Sequence, residues 1–175
     1  MKLLLNLQRA DHRLFGLISQ YAQHTPCVST ARVFSRSGDG ILHVLIAAML
    51  SVLHPLPEVI LPALASTMLL ERALYWPLKN GLKRLRPPEK LVGFASIIQA
   101  SDKFSFPSGH SSAAFALATL LSLCIGGPIA VLLLWACGVA LSRVILGVHF
   151  PGDILAGAAL GSLCALVNAS YWGFW

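Results

Sequence analysis

Residues 104–175 read FSFPSGHSSAAFALATLLSLCIGGPIAVLLLWACGVALSRVILGVHFPGDILAGAALGSLCALVNASYWGFW, and this stretch decides the fold. Its only charged residues are Arg143 and Asp153. A run that long with two charges has no polar face to offer water, so its main solvent is lipid. Gly126-Gly127-Pro128 marks one chain reversal, with Pro128 placed to open a helix. The short polar loop Gly147 to Gly152 marks another. Three apolar spans follow from these breaks: Ser108 to about Ile125, Ile129 to about Leu146, and Asp153 to about Val167.

Working back toward the N-terminus, two more spans are predicted, Ile41 to Leu53 and Val59 to Leu78, with Pro55 and Pro57 at the reversal between them. The first is short for a bilayer, which takes about 20 residues. Glu71 and Arg72 fall in the second, and Tyr75 and Trp76 just after them read as an interfacial belt, which places the charged pair near the membrane surface. Residues 1–36 mix apolar clusters with Arg, His and Asp and read as an amphipathic helix lying on the membrane. Met1–Leu7 lacks the apolar core and cleavage site of a signal peptide, so the N-terminus is expected to be retained. The predicted fold class is therefore all-α: a multi-span transmembrane helix bundle of about five spans plus an N-terminal interfacial helix, forming one membrane-embedded domain over residues 1–175. Gly157 and Gly161 form a GxxxG, which permits close helix approach, first within the bundle and second in a homodimer.

Composition agrees. Of the 175 residues 56% are hydrophobic and only 11% charged, against about 25% charged in a soluble domain. The net charge of +6 raises nucleic acid as a partner, but the cations do not line a soluble face. They gather in the N-terminal segment and in the polar stretch 79–107, where they suit anionic headgroups or a phosphate. Four cysteines without a CxxC pair read as small apolar residues, not a metal site.

The chemistry-bearing residues lie in three pieces. Lys79 and Arg86-Pro87 are separated by six residues; Pro107-Ser108-Gly109-His110 stands at a helix start; Ser142-Arg143 is followed after five residues by His149, with Asp153 four further on. An even number of crossings separates the 79–107 loop from the 147–152 loop, so all three pieces meet at one membrane face. Lys79, Arg86 and Arg143 around one pocket would repel one another without an anion, and guanidinium forks fit phosphate oxygens. Ser108 and the N–H groups of Gly109 and His110 at a helix N-terminus make a further anion site. Asp153, four residues beyond His149, can orient its ring and leave the other nitrogen as a nucleophile. His110 has no acid partner nearby in sequence and is suited to protonate a leaving oxygen.

Lys-x6-Arg-Pro, Pro-Ser-Gly-His and Ser-Arg-x5-His-x3-Asp, complete and in order, resemble the type 2 phosphatidic acid phosphatase (PAP2) superfamily. The resemblance covers Lys79 to Asp153 and the helices around it. It implies a membrane lipid phosphatase that works through a phosphohistidine without a metal or other cofactor. By motif position it implies that His149 is the nucleophile, His110 the acid/base and Asp153 the orienter. Lys79, Arg86, Ser108, Gly109 and Arg143 would hold the phosphate. Typical members have six spans, against the five counted here.

The expected partners are a lipid phosphate substrate and membrane lipids, with no nucleic acid; the candidates are undecaprenyl diphosphate, phosphatidylglycerol phosphate and phosphatidate. The alternatives are a phosphatase of a soluble ester, a vanadate-dependent haloperoxidase, which this apolar composition argues against, and a lipid-binding scaffold with a relic pocket. His43 and His54 read as packing or hydrogen-bonding residues, His12 and His24 as solvated. Lys83, Arg84, Lys90 and Lys103 read as headgroup or solvent contacts, and Asp102 as a loop cap. The expected location is a bacterial inner membrane. Lysine and arginine crowd the loops on the active face, which by the positive-inside rule is cytoplasmic, although a phosphate site would collect the same cations.

Overall fold

The computed structural model describes residues 2–21, 24–125 and 129–174. The predicted reversal at Gly126-Gly127-Pro128 lies outside them. Every regular element among the described residues is a helix: α1 (Lys2–Tyr21), α2 (Thr25–Ser37), α3 (Ile41–Leu53), α4 (Pro57–Leu82), α5 (Pro87–Lys90), α6 (Gly109–Ile125), α7 (Ile129–Ile145) and α8 (Pro151–Tyr171). The predicted spans correspond to α3, α4, α6, α7 and α8. By length and hydropathy alone α4 and α8 are long enough to cross a membrane. The apolar helices α6 and α7, at 17 residues each, reach about 25 Å at 1.5 Å per residue, just short of a ~30 Å hydrocarbon core.

The N-terminal segment differs from the single surface helix expected. α2 and α3 together pass the same length and hydropathy test, bent by 51° at a short break. The break follows from Gly38-Asp39-Gly40: Gly40 takes φ 91°, which favours glycine, and interrupts the ladder. The missing length of the short third helix is thus supplied by α2. That helix packs on α7, where the Phe34 ring fills the space left by Gly138 and Trp135 Nε1 donates to Ser37 Oγ at 2.9 Å. Only α1 keeps the character of a surface helix. Phe15 is buried against Phe94 and Phe150, while Leu14 and Leu17 stay exposed.

α6 and α8 form the central seam. A Cβ on Gly157 would strike the carbonyl of Ser108, and one on Gly161 the carbonyl of Ser112. The GxxxG is therefore spent inside the chain. α8 is also tied to α4 in the apolar half: Asn168 Nδ2 donates to Ala63 O at 2.9 Å and Thr67 Oγ1 at 2.8 Å, polar contacts of the kind that bind helices together in lipid. Leu50, Ile60, Leu64, Leu117, Leu120 and Leu121 pack around that seam. Leu69, Leu134, Leu155 and Leu163 stand on the outside, an arrangement suited to lipid and costly in water.

Glu71 faces the interior of the bundle. It is fully buried, and Arg72 grips it with Nε at 2.5 Å and Nη2 at 3.0 Å. Burial inside a span is tolerated because the charge is met bidentately. Tyr75 is likewise buried, not a belt residue, whereas Trp76 is exposed.

Candidate functional site

The polar stretch predicted over 79–107 begins inside α4. Lys79 lies in that helix's last turn, which ends at Lys83 with φ 47°. The chain then runs through α5 and back to α6. Ser105 N–H donates to Arg84 O at 2.7 Å, and Ile97 N–H to Leu146 O at 3.0 Å, which closes this loop on itself beside α4 and ties it to the end of α7. Beneath it lies a cavity of about 670 Å³. Its walls bring Lys79, Arg86, Gly109, His110, Arg143 and His149 together from distant parts of the chain.

His149 is 2% exposed. Its Nε2 is 3.3 Å from Arg86 Nη1. Arginine can only donate, so Nε2 must accept and the ring proton sits on Nδ1. Nδ1 faces Asp153 Oδ2 at 3.6 Å, an ion-pair distance longer than a hydrogen bond. Burial holds the imidazole down to about pH 4, against a smaller opposing pull from Asp153. The ring is therefore neutral at ordinary pH, with Nε2 beside Arg86 in the cavity wall.

Asp153 is the third residue of α8. Its Oδ2 accepts from Phe150 N–H at 2.8 Å, and its Oδ1 accepts from Arg84 Nη1 at 2.7 Å. Arg84 also donates to Asp11 Oδ2 of α1 at 2.5 Å, and Asp11 Oδ1 accepts from Gly152 N–H at 2.7 Å. Arg84 is thus an internal link rather than a headgroup contact. His12 is not a solvated residue either: it stacks on Phe150, ring centroids 4.9 Å apart. Sequence alone had no signal for these contacts, because 141 positions separate Asp11 from Gly152.

Lys79 and Arg86 share one unforeseen partner. Asp102 meets Lys79 Nζ at 3.1 Å, pairs with Arg86 Nη2, and accepts from the Tyr75 hydroxyl at 3.3 Å. Burial would push its carboxyl up, but the contacts to Arg86 and Lys79 outweigh that and hold it below the ordinary carboxylate value. It is a charge partner of the pocket, not a loop cap. Arg143 donates from Nη1 to Ser35 Oγ at 2.5 Å, and its buried Nε has no hydrogen-bond partner among the described residues. At the start of α6 a side chain on Gly109 would meet the Tyr75 hydroxyl at 2.9 Å. Ser108 does not line the cavity. It is fully buried, and its Oγ accepts from Ser111 Oγ at 3.0 Å and from Ser111 N–H at 3.4 Å, a helix cap. His110 Nε2 is 2.6 Å from Asp39 Oδ1, in the break between α2 and α3. His43 and His54 make hydrogen bonds to backbone, as expected.

Three cations, a helix N-terminus and two imidazoles around one cavity form an arrangement for binding and attacking a tetrahedral anion. The family model described as the PAP2 superfamily matches residues 60–174. The chain belongs to the PAP2 superfamily. Within it the chain is 31% identical over 147 residues to the decaprenylphosphoryl-5-phosphoribose phosphatase of Mycobacterium tuberculosis, covering 83% of this chain and 81% of that one. It is 36% identical over 110 residues to the phosphatidylglycerophosphatase B of Bacillus subtilis, covering 53% and 48%. The crystal structure of Aquifex aeolicus LpxE matches with a TM-score of 0.78 at 28% identity, covering 91% of this chain and 94% of that one. Its PAP2 relatives are membrane lipid phosphatases, and this chain is an integral membrane protein of the same class.

Proposed function

We propose that the chain hydrolyses a phosphomonoester or diphosphate of a membrane lipid through a phosphohistidine on His149. The observation that carries this reading is the orientation of that ring, with Nε2 beside Arg86 in the cavity wall and Nδ1 toward Asp153. Lys79, Arg86, Arg143 and the N–H groups at the start of α6 would hold the phosphoryl oxygens, with Gly109 keeping that approach free of a side chain. Ser108, whose hydroxyl caps α6, would join them as a donor to the phosphate. The Nε2 lone pair attacks phosphorus, the bond to the leaving oxygen breaks, and His110 gives that oxygen a proton. Water then attacks the phosphohistidine, His110 takes the water's proton, and inorganic phosphate leaves as the P–N bond breaks. No step in this scheme calls on a metal.

The substrate class is supported by the relatives, which are named as phosphatases of decaprenylphosphoryl-5-phosphoribose, lipid A and phosphatidylglycerol phosphate. A bacterial inner membrane fits those relatives. The test is phosphate release by the purified protein from undecaprenyl diphosphate, phosphatidylglycerol phosphate, phosphatidate and a soluble sugar phosphate, without added metal. Release from at least one lipid is expected. Release from the soluble ester alone, or from none, would favour the soluble-ester or scaffold reading instead.

A further inference from the structure

Asp39 lies outside the three motifs and ahead of the residues that the family model matches, yet its carboxylate is in hydrogen-bond contact with His110. The break that carries it is fixed from both sides. A Cβ on Gly38 would sit 2.7 Å from Val139 Cγ1 and 3.4 Å from His110 Cδ2, while Gly40 holds φ 91°. The turn is therefore seated on α7 and on the His110 ring, and Asp39 Oδ1 reaches His110 Nε2 at 2.6 Å. Irregular backbone within a membrane span is sustained where it lines a cavity. This break does so twice, since Asp39 borders both the main cavity and a smaller one of about 210 Å³ beside Arg32, Arg36 and Arg143.

The surroundings of His110 explain what a carboxylate is for. α4 presents Arg72, Glu71, Tyr75 and Lys79 to the main cavity; α7 presents Arg143, α3 presents His43, and the loops present Arg86, Asp102 and His149. α2 adds Arg32 and Arg36, and His110 itself stands in the first turn of α6. Glu71 is engaged by Arg72 and Asp102 by Lys79 and Arg86. The cations and the helix N-terminus all disfavour a protonated imidazole. Asp39 is the acidic group in hydrogen-bond contact with the ring.

We propose that Asp39 is a positioning residue that turns His110 to deliver its proton to the leaving oxygen and offsets the positive charge around it, making the acid of this site a His110–Asp39 pair. The inference rests on the reading of His110 as the acid. With Nε2 held by the carboxylate, Nδ1 is the nitrogen left to serve the substrate. Its proton passes to the leaving oxygen as the P–O bond breaks, and Nδ1 later takes a proton from water.

The test compares kcat/KM against pH for wild type, Asp39→Asn, Asp39→Glu and His110→Ala. It uses dioctanoyl phosphatidate, whose alkoxide needs a proton to leave, and p-nitrophenyl phosphate, whose phenolate does not. Asp39→Asn is expected to lower kcat/KM for phosphatidate about tenfold at pH 7 and to move the alkaline limb about one unit toward acid. On p-nitrophenyl phosphate it should stay within about twofold, and Asp39→Glu should keep the wild-type limb. Equal losses on both substrates, or an unmoved limb, would overturn the proposal. If Asp39→Asn fails to fold, a glutamate variant with a displaced limb despite its retained charge overturns it as well. His110→Ala separates the two readings. Loss confined to phosphatidate in His110→Ala but not in Asp39→Asn sinks only the pairing. Equal loss on both substrates in His110→Ala sinks the acid role itself.

Discussion

The two histidine walls of the cavity are built differently. His149 is 2% exposed and enclosed by Arg86, Asp153 and the α7–α8 loop; His110 is 23% exposed and rests on a turn whose aspartate is 49% exposed. A nucleophile has to be held in line with phosphorus, and burial among fixed dipoles does that. An acid/base has to exchange its proton with water between half-reactions, which a sealed group could not do quickly. The difference in exposure thus fits the tasks proposed for the two rings.

The largest effect should come from breaking the closed wall. His149→Ala is expected to abolish turnover, measured as phosphate release, whereas His110→Ala should leave a residue about 10²–10⁴-fold below wild type. Next comes Asp153→Asn, which keeps the shape and removes the charge that fixes the ring. A loss of similar size in kcat with an unchanged thermal midpoint in detergent is expected. The pH profile sharpens the same contrast. Because burial holds the free His149 near pH 4, the ring is neutral above that value, and kcat/KM should fall tenfold per unit only as pH drops below about 4. An acid limb near the ordinary histidine value of about 6.5 would mean an unburied nucleophile.

Smaller effects lie one contact further out. Arg84→Met removes the bridge between Asp153 and Asp11, and a loss of about tenfold in kcat with KM unchanged is expected. A change confined to KM would point to a substrate contact instead. Asp102→Asn leaves a hydrogen-bond acceptor for Lys79 and Arg86 but takes a negative charge from the phosphate pocket. Inhibition by vanadate should tighten by about a few-fold; weaker inhibition would mean that the charge is needed to hold those cations.

Much of this was legible in the sequence because it is written locally. The starts and ends of α6, α7 and α8 follow from Pro, Gly and apolar runs, and the three motifs carry their spacing with them. Contacts across long separations were not legible. Nothing near Asp39 marks it as a partner of a histidine 71 positions away, and the same holds for the link from Arg84 to Asp11, 73 positions apart. The broken span was hidden for a different reason: α2 carries Arg32 and Arg36 on its exposed side, which reads as a surface helix until its other side is seen against α7. The cap that Ser108 makes was not legible either, because a hydroxyl at a helix start serves equally as cap and as ligand.

The central claim is that one buried imidazole becomes covalently phosphorylated. Rapid acid-free quenching of the purified enzyme with a ³²P-labelled lipid phosphate, followed by peptide mapping, tests it most directly. Label on the peptide containing His149, stable to alkali, released by mild acid and absent from His149→Ala, is the predicted result. Turnover by the wild type with label on no histidine, or label that persists in His149→Ala, would contradict it.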